Sequence, residues 1–209
     1  MKHNHIVPRN GRQNGVVLFI ALITLVIIML ASIALVRSVD TGNLIAGNVA
    51  FRRAATISAD AGVESAITWL SAKELADQDK DAFFDATHVL NTTDAANGYY
   101  SSEVSDPSDA SFLDVTAATA WTDAASKQVG NGPDSSGNTV RYIIQRMCPI
   151  PNTTLDEDKC QFSDAENQTS SMRTGIPTPD KSGKSVMYRI TARVTGPRNT
   201  VSYIQSFVY

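Results

Sequence analysis

The stretch Arg9-Asn10-Gly11-Arg12-Gln13-Asn14-Gly15 is followed by an apolar run that begins Val16-Val17-Leu18-Phe19-Ile20 and continues without a charge to Val36, where Arg37 closes it. Only Thr24 and Ser32 interrupt its Val, Leu, Ile, Ala, Met and Phe. At ~1.5 Å rise per residue the run makes roughly 32 Å of helix, enough to cross the hydrocarbon core of a bilayer. A core helix of a soluble domain would carry a polar face. This run carries none, so a membrane is the environment to account for first.

The charges on either side of the run orient it. Lys2, Arg9 and Arg12 are the charged residues ahead of Val16, and all three are basic. By the positive-inside rule that end stays in the cytoplasm and the remaining ~170 residues are exported. Setting those three aside leaves 15 of the 18 basic residues against 21 acidic ones, a net charge of −6. An acidic exported part argues against a nucleic-acid surface. Cys148 and Cys160 are the two cysteines. In an oxidising periplasm a pair so close in sequence reads most simply as a disulfide, with a stabilisation of ~3 kcal/mol in the chain-entropy model.

Three processing routes fit the amino terminus. An ordinary secretory signal would use Ser32-Ile33-Ala34 as its cleavage site, but the apolar regions of such signals span only ~7–15 residues. An uncleaved anchor needs nothing beyond the hydrophobic run. A leader cut on the cytoplasmic side of the run needs a short basic segment ending in glycine directly before it, and Arg12-Gln13-Asn14-Gly15 followed by Val16-Val17-Leu18-Phe19 has that arrangement. The pattern Gln13-Asn14-Gly15-Val16-Val17-Leu18 is joined by Ala46-Gly47-Asn48 with Phe51-Arg52, and by Ala59-Asp60-Ala61-Gly62-Val63-Glu64-Ser65-Ala66. Together these resemble the N-terminal region of PilX-type minor pilins of Gram-negative type IV pili, over roughly residues 12–70, with a weaker echo at the carboxyl end.

The resemblance implies a prepilin peptidase that cuts between Gly15 and Val16 and leaves an N-methylated Val16. It also implies residence in the inner membrane with a periplasmic domain, then in a fibre at the cell surface alongside other minor pilins and the major pilin. Phe19, Leu22, Leu25, Val26, Met29 and Ile33 would then pack against other pilin helices and lipid. Major pilins carry Phe first and Glu fifth in the mature chain; here those positions hold Val16 and Ile20. In the pilin scheme the fifth-position Glu neutralises the terminal amine of a neighbouring subunit, since a lone charge in hydrocarbon is expensive. A chain without it cannot offer that pairing, and a subunit at the leading end of a fibre would not need to. The implied role is a tip-proximal subunit that helps initiate assembly, with consequences for adhesion and twitching motility. A type II secretion minor pseudopilin remains an alternative that gene neighbourhood would separate. A single-pass anchored periplasmic binding or adhesive domain is another, and it would keep its amino terminus uncut.

Further along, no proline occurs between Arg37 and Ala76 and alanine is abundant, so the helix is expected to continue. Val63, Ala66, Ile67 and Leu70 share a face, as a helix packing on a domain would present. Gly42 and Gly47, beside Asn43 and Asn48, each cost about 0.5–1 kcal/mol relative to alanine and mark an expected flexible break over 42–48. Asp77, Asp79 and Asp81 alternate as in a calcium loop, but Ala82 and His88 stand where such a loop needs Gly and Glu, so the metal reading is weak.

Residues 82–138 are polar, with Phe83, Phe84, Tyr99, Tyr100, Phe112, Leu113 and Trp121 as apolar anchors. A strand is expected from Tyr99 to Val104 and a short helix from Ala117 to Gln128, ahead of a turn-rich loop over 131–138. Thr139 to Met147 reads as a strand. Val186, Tyr188, Ile190, Ala192 and Val194 alternate with Arg189, Thr191 and Arg193, a half-buried strand that turns at Gly196-Pro197-Arg198-Asn199 and returns from Thr200 to Tyr209. Between these strands Ile176-Pro177-Thr178-Pro179 stiffens a loop suited to a subunit or surface contact. The expected fold is α+β and pilin-like, with a long N-terminal transmembrane-to-periplasmic helix packed on a C-terminal antiparallel β-sheet. Its parts are a leader (1–15), a membrane and fibre-core helix (16–36), a helix continuation (37–76) and an exported domain (77–209).

Catalytic chemistry finds no foothold in the sequence. His3 and His5 lie in the leader, His88 stands alone, and the cysteines lack a Cys-x-x-Cys spacing. No phosphate-binding glycine loop or Gly-x-Ser-x-Gly elbow occurs. The expectation is a non-enzymatic structural protein with no cofactor.

Overall fold

A computed structural model of the chain describes residues 15–82, 84–163 and 185–209. The leader ahead of Gly15, Phe83 and the loop Ile176-Pro177-Thr178-Pro179 lie outside the described residues. Contacts divide the chain after Ala50 into two compact units, the second being Phe51–Tyr209. The molecule is α+β: one long apolar N-terminal helix and one mixed sheet of five strands.

Helix α1 (Val16–Ala76) runs for 61 residues. α1 passes through Gly42 and Gly47 as continuous helix. The reason is arithmetic: two glycines cost about 1 kcal/mol each, whereas a helix end strands several backbone donors and acceptors at once. The helix stops where Asp77-Gln78-Asp79-Lys80-Asp81 replaces its apolar face. There the last turn tightens, with the Asp77 N–H donating to Glu74 O at 3.2 Å.

The sheet grows from three strands, β3 (Thr139–Arg146), β4 (Tyr188–Thr195) and β5 (Val201–Val208). β3 and β4 pair antiparallel from Thr139↔Thr195 to Arg146↔Tyr188, and β4 and β5 from Tyr188↔Val208 to Thr195↔Val201. The expected hairpin is present, and its turn is a single 3-10 turn over Pro197–Asn199 with Asn199 at φ 56°. The all-antiparallel expectation is corrected at the other edge. β1 (Tyr99–Tyr100) pairs parallel with β3, and β2 (Lys127–Gln128) pairs antiparallel with it.

Alternation sorts the faces. Val140, Tyr142 and Ile144 of β3 and Tyr188, Ile190, Ala192 and Val194 of β4 lie under α1, whose Ala59, Gly62, Ala66 and Leu70 are buried against them. This is the helical face anticipated around Val63, Ala66, Ile67 and Leu70, shifted to its smallest side chains. A Cβ added at Gly62 would meet Val140 Cγ1 at 2.7 Å and Ala192 Cβ at 3.2 Å, so glycine permits the close approach. On the opposite face Ile143 packs with Ala120 and Trp121, supported by Tyr100, Leu113 and Val115.

The middle region departs from expectation in two places. The strand expected to reach Val104 ends at Tyr100, because Ser101 turns its N–H to Thr93 Oγ1 (3.1 Å) and its hydroxyl to the segment at Asn152. The expected helix from Ala117 to Gln128 is a 3-10 turn, Ala118–Trp121, followed by β2. Burial of Trp121, whose Nε1–H donates to Val115 O at 2.8 Å, overrides the helix preference of the alanines. Asp-x-Ser/Thr turns fix much of the rest, as when Asp106 accepts from the Ser108 N–H (2.9 Å) and Asp114 from the Thr116 N–H (2.8 Å).

Candidate functional site

Every residue from Val16 to Val36 is exposed, although the run is long and apolar enough to cross a membrane. Phe19, Leu22, Leu25, Val26, Met29 and Ile33 are each at least half exposed, as is Ile20. Exposing so continuous an apolar surface to water is unfavourable by ~25 cal/mol per Å², a cost that hydrocarbon around the run would relieve. Its two polar residues are suited to the same surroundings. Thr24 Oγ1 donates to Ala21 O at 2.9 Å and Ser32 Oγ to Ile28 O at 2.8 Å, leaving neither hydroxyl in need of water. Ala21, Thr24, Leu25, Ile28, Met29, Ser32 and Ile33 line a shallow groove along one side of α1, where small residues admit a ridge from a neighbouring helix.

Gly15 precedes the first helical residue, and its carbonyl accepts from the Phe19 N–H at 3.4 Å. The Gly15–Val16 bond therefore lies at the helix start, where the fewest hydrogen bonds hold the backbone. Gly42 and Gly47 face open space, with nothing within 4 Å of an added Cβ. They are the positions of α1 with the least to hold them helical.

In the second unit Cys148 and Cys160 are joined by a disulfide, with Cα atoms 4.2 Å apart. The bridge staples the excursion that leaves β3. Pro149, Ile150, Thr153 and Thr154 line a small cavity beside it, and Lys159 reaches Asp156 at 2.7 Å.

The three alternating aspartates do not converge on a cation. Asp77 spends one oxygen on Lys80 (2.9 Å) and the other on the Val89 N–H (2.7 Å), so it joins the end of α1 to the following loop. The hydrogen-bonded Lys80 ammonium, aided by the Val89 N–H, holds the Asp77 carboxyl below the usual carboxylate range. Among the described residues no group of three or more His, Cys, Asp or Glu is placed to hold a metal ion.

Sequence reasoning missed a polar cluster behind Tyr99. Arg146 is fully buried, and its guanidinium donates to Ser101 O (2.9 Å), Leu90 O (3.1 Å), Asn91 Oδ1 (2.5 Å) and Thr153 O (2.7 Å). The Tyr99 hydroxyl donates to Leu90 O at 2.6 Å, and Asn91 Nδ2 donates to Ala82 O and Asp85 O. His88 is also buried, with Nε2 3.5 Å from Glu74 of α1 and Nδ1 accepting from the Leu90 N–H. One signal was available: Arg146 falls in phase with Val140, Tyr142 and Ile144, on the face that packs inward. Through these bonds the cluster ties β3 to the segments carrying Leu90, Ser101 and Thr153.

Set against known protein families, curated proteins and solved structures, the chain finds no match.

Proposed function

We propose that this chain is a minor pilin of a type IV pilus, cut between Gly15 and Val16 and assembled through the first part of α1 as a tip-proximal subunit that helps start the fibre. One observation carries the reading: an uninterrupted, exposed apolar helix follows a glycine that closes a basic leader, and the same helix continues into the packing face of an α+β domain. Cohesion in the fibre then comes from apolar side chains such as Phe19, Leu22, Leu25, Val26, Met29 and Ile33 meeting equivalent rods. Selectivity for neighbouring subunits falls to the exported domain.

Ile20 supports a leading position. A carboxylate at that place would neutralise the terminal amine of an adjacent subunit, and isoleucine cannot. A chain-initiating subunit is exempt from that pairing. Deletion of the gene, followed by counting fibres by electron microscopy, is the direct test. Fewer fibres of unchanged thickness are expected, with reduced twitching. Normal fibre number and normal motility would contradict the initiating role.

A further inference from the structure

β5 is the long open edge of the sheet. It ends the strand order β1-β3-β4-β5, whereas the opposite edge is divided between two strands of 2 residues each. Its sequence, Val201-Ser202-Tyr203-Ile204-Gln205-Ser206-Phe207-Val208, contains no charge and no proline. Edge strands usually carry such residues to repel an incoming strand. Among the described residues, no element pairs with the outer backbone of β5.

The side chains beside that edge have a definite polarity. Tyr203 and Phe207 are 44% and 52% exposed, and their direct neighbours on β4 are Arg193 and Arg189. Two of the three arginines on this face already have carboxylates: Arg189 reaches Glu103 at 3.1 Å, and Arg141 reaches Asp123 at 2.8 Å. Arg193 has none among the described residues. Its guanidinium lies 5.8 Å from the centre of the Trp121 ring, Trp121 lies 5.8 Å from Tyr203, and the buried Arg193 Nε–H has no acceptor among the described residues.

We propose that β5 takes up an extended acidic segment of another protein as an added strand, with Asp or Glu side chains facing the Arg193–Trp121–Tyr203 cluster. Main-chain hydrogen bonds along β5 would supply affinity, and the alternate carboxylates specificity. Charge selects this occupant over a second copy of the chain. Two β5 strands brought together add no carboxylate beside Arg193, because β5 itself carries no charge. The inference does not depend on cleavage or polymerisation.

The test uses the full chain in detergent micelles and a labelled peptide of about eight residues alternating valine and glutamate, matched to the length of β5. A control peptide carries lysine in place of each glutamate. The glutamate peptide is expected to bind about tenfold more tightly than the control, to weaken as salt rises, and to slow amide exchange across residues 201–208. Arg193→Gln should bring the two peptides close to equal affinity. Should that variant misfold, the peptide comparison, salt dependence and exchange pattern on the unaltered chain still decide the matter. Equal binding of both peptides, no binding, protection confined to other strands, or β5 amides already protected by self-association would each overturn the proposal.

Discussion

Gly62 sets how closely α1 approaches the sheet, because a single methyl there would lie 2.7 Å from Val140 and 3.2 Å from Ala192. Helix propensity favours alanine by about 1 kcal/mol, but overpacking a tight contact costs about 1–3 kcal/mol. Gly62→Ala is therefore expected to lower the stability of the second unit, read as a lower urea midpoint with an unchanged slope. A variant as stable as the parent would show that the helix can shift to accept the methyl. Arg146 teaches a different lesson at this scale. A cation at a strand end reads as solvent-facing, and only its parity with Val140, Tyr142 and Ile144 places it inward. What makes that position tenable is a set of acceptors from Leu90, Asn91, Ser101 and Thr153, distant in sequence and invisible to any local pattern.

At the scale of elements, α1 was legible in advance from its long unbroken apolar run, and the hairpin from the alternation in β4 and the Gly196-Pro197-Arg198-Asn199 turn. Val186 to Val194 alternates, and Val186, Tyr188, Ile190, Ala192 and Val194 are all buried, with Thr191 buried on the other face. The middle region was not legible. Its short 3-10 turns, two-residue strands and Asp-x-Ser/Thr turns are each decided by one or two long-range contacts, such as Trp121 against Ile143. At Gly42 and Gly47 the helix stays continuous, because ending it would cost more than two glycines do. Those glycines still weaken α1, and nothing lies near them to clash with a methyl. Gly42→Ala and Gly47→Ala are expected to stabilise the helix locally by about 0.5–1 kcal/mol each, in contrast to Gly62→Ala. Slower amide exchange over residues 42–50 would report the gain; unchanged or faster exchange would contradict it.

For the molecule as a whole, the tyrosines of the core make a prediction about pH. Burial pushes the Tyr142 hydroxyl up to about 12, and it raises Tyr99 and Tyr188 as well. In the unfolded chain these groups ionise near ~10. Above that pH the unfolded state loses protons that the folded state keeps, so stability is retained below ~10 and declines as pH rises further. Tyrosinate absorbance from these residues should therefore appear together with the loss of sheet signal in circular dichroism. Titration near ~10 with the sheet intact would mean that the core is open to water.

The α+β architecture and the exposed apolar rod were readable from the sequence because hydrophobicity and alternation are written residue by residue. The proposed processing at Gly15 and packing of the rod among other rods would be events between molecules, and the proposal rests on the basic leader, the glycine and the apolar run considered together. The mass of the mature amino-terminal peptide tests that account most directly. A chain beginning at an N-methylated Val16 is the predicted result, whereas one that retains Met1, or that starts at Leu35 after an ordinary signal cleavage, would contradict it.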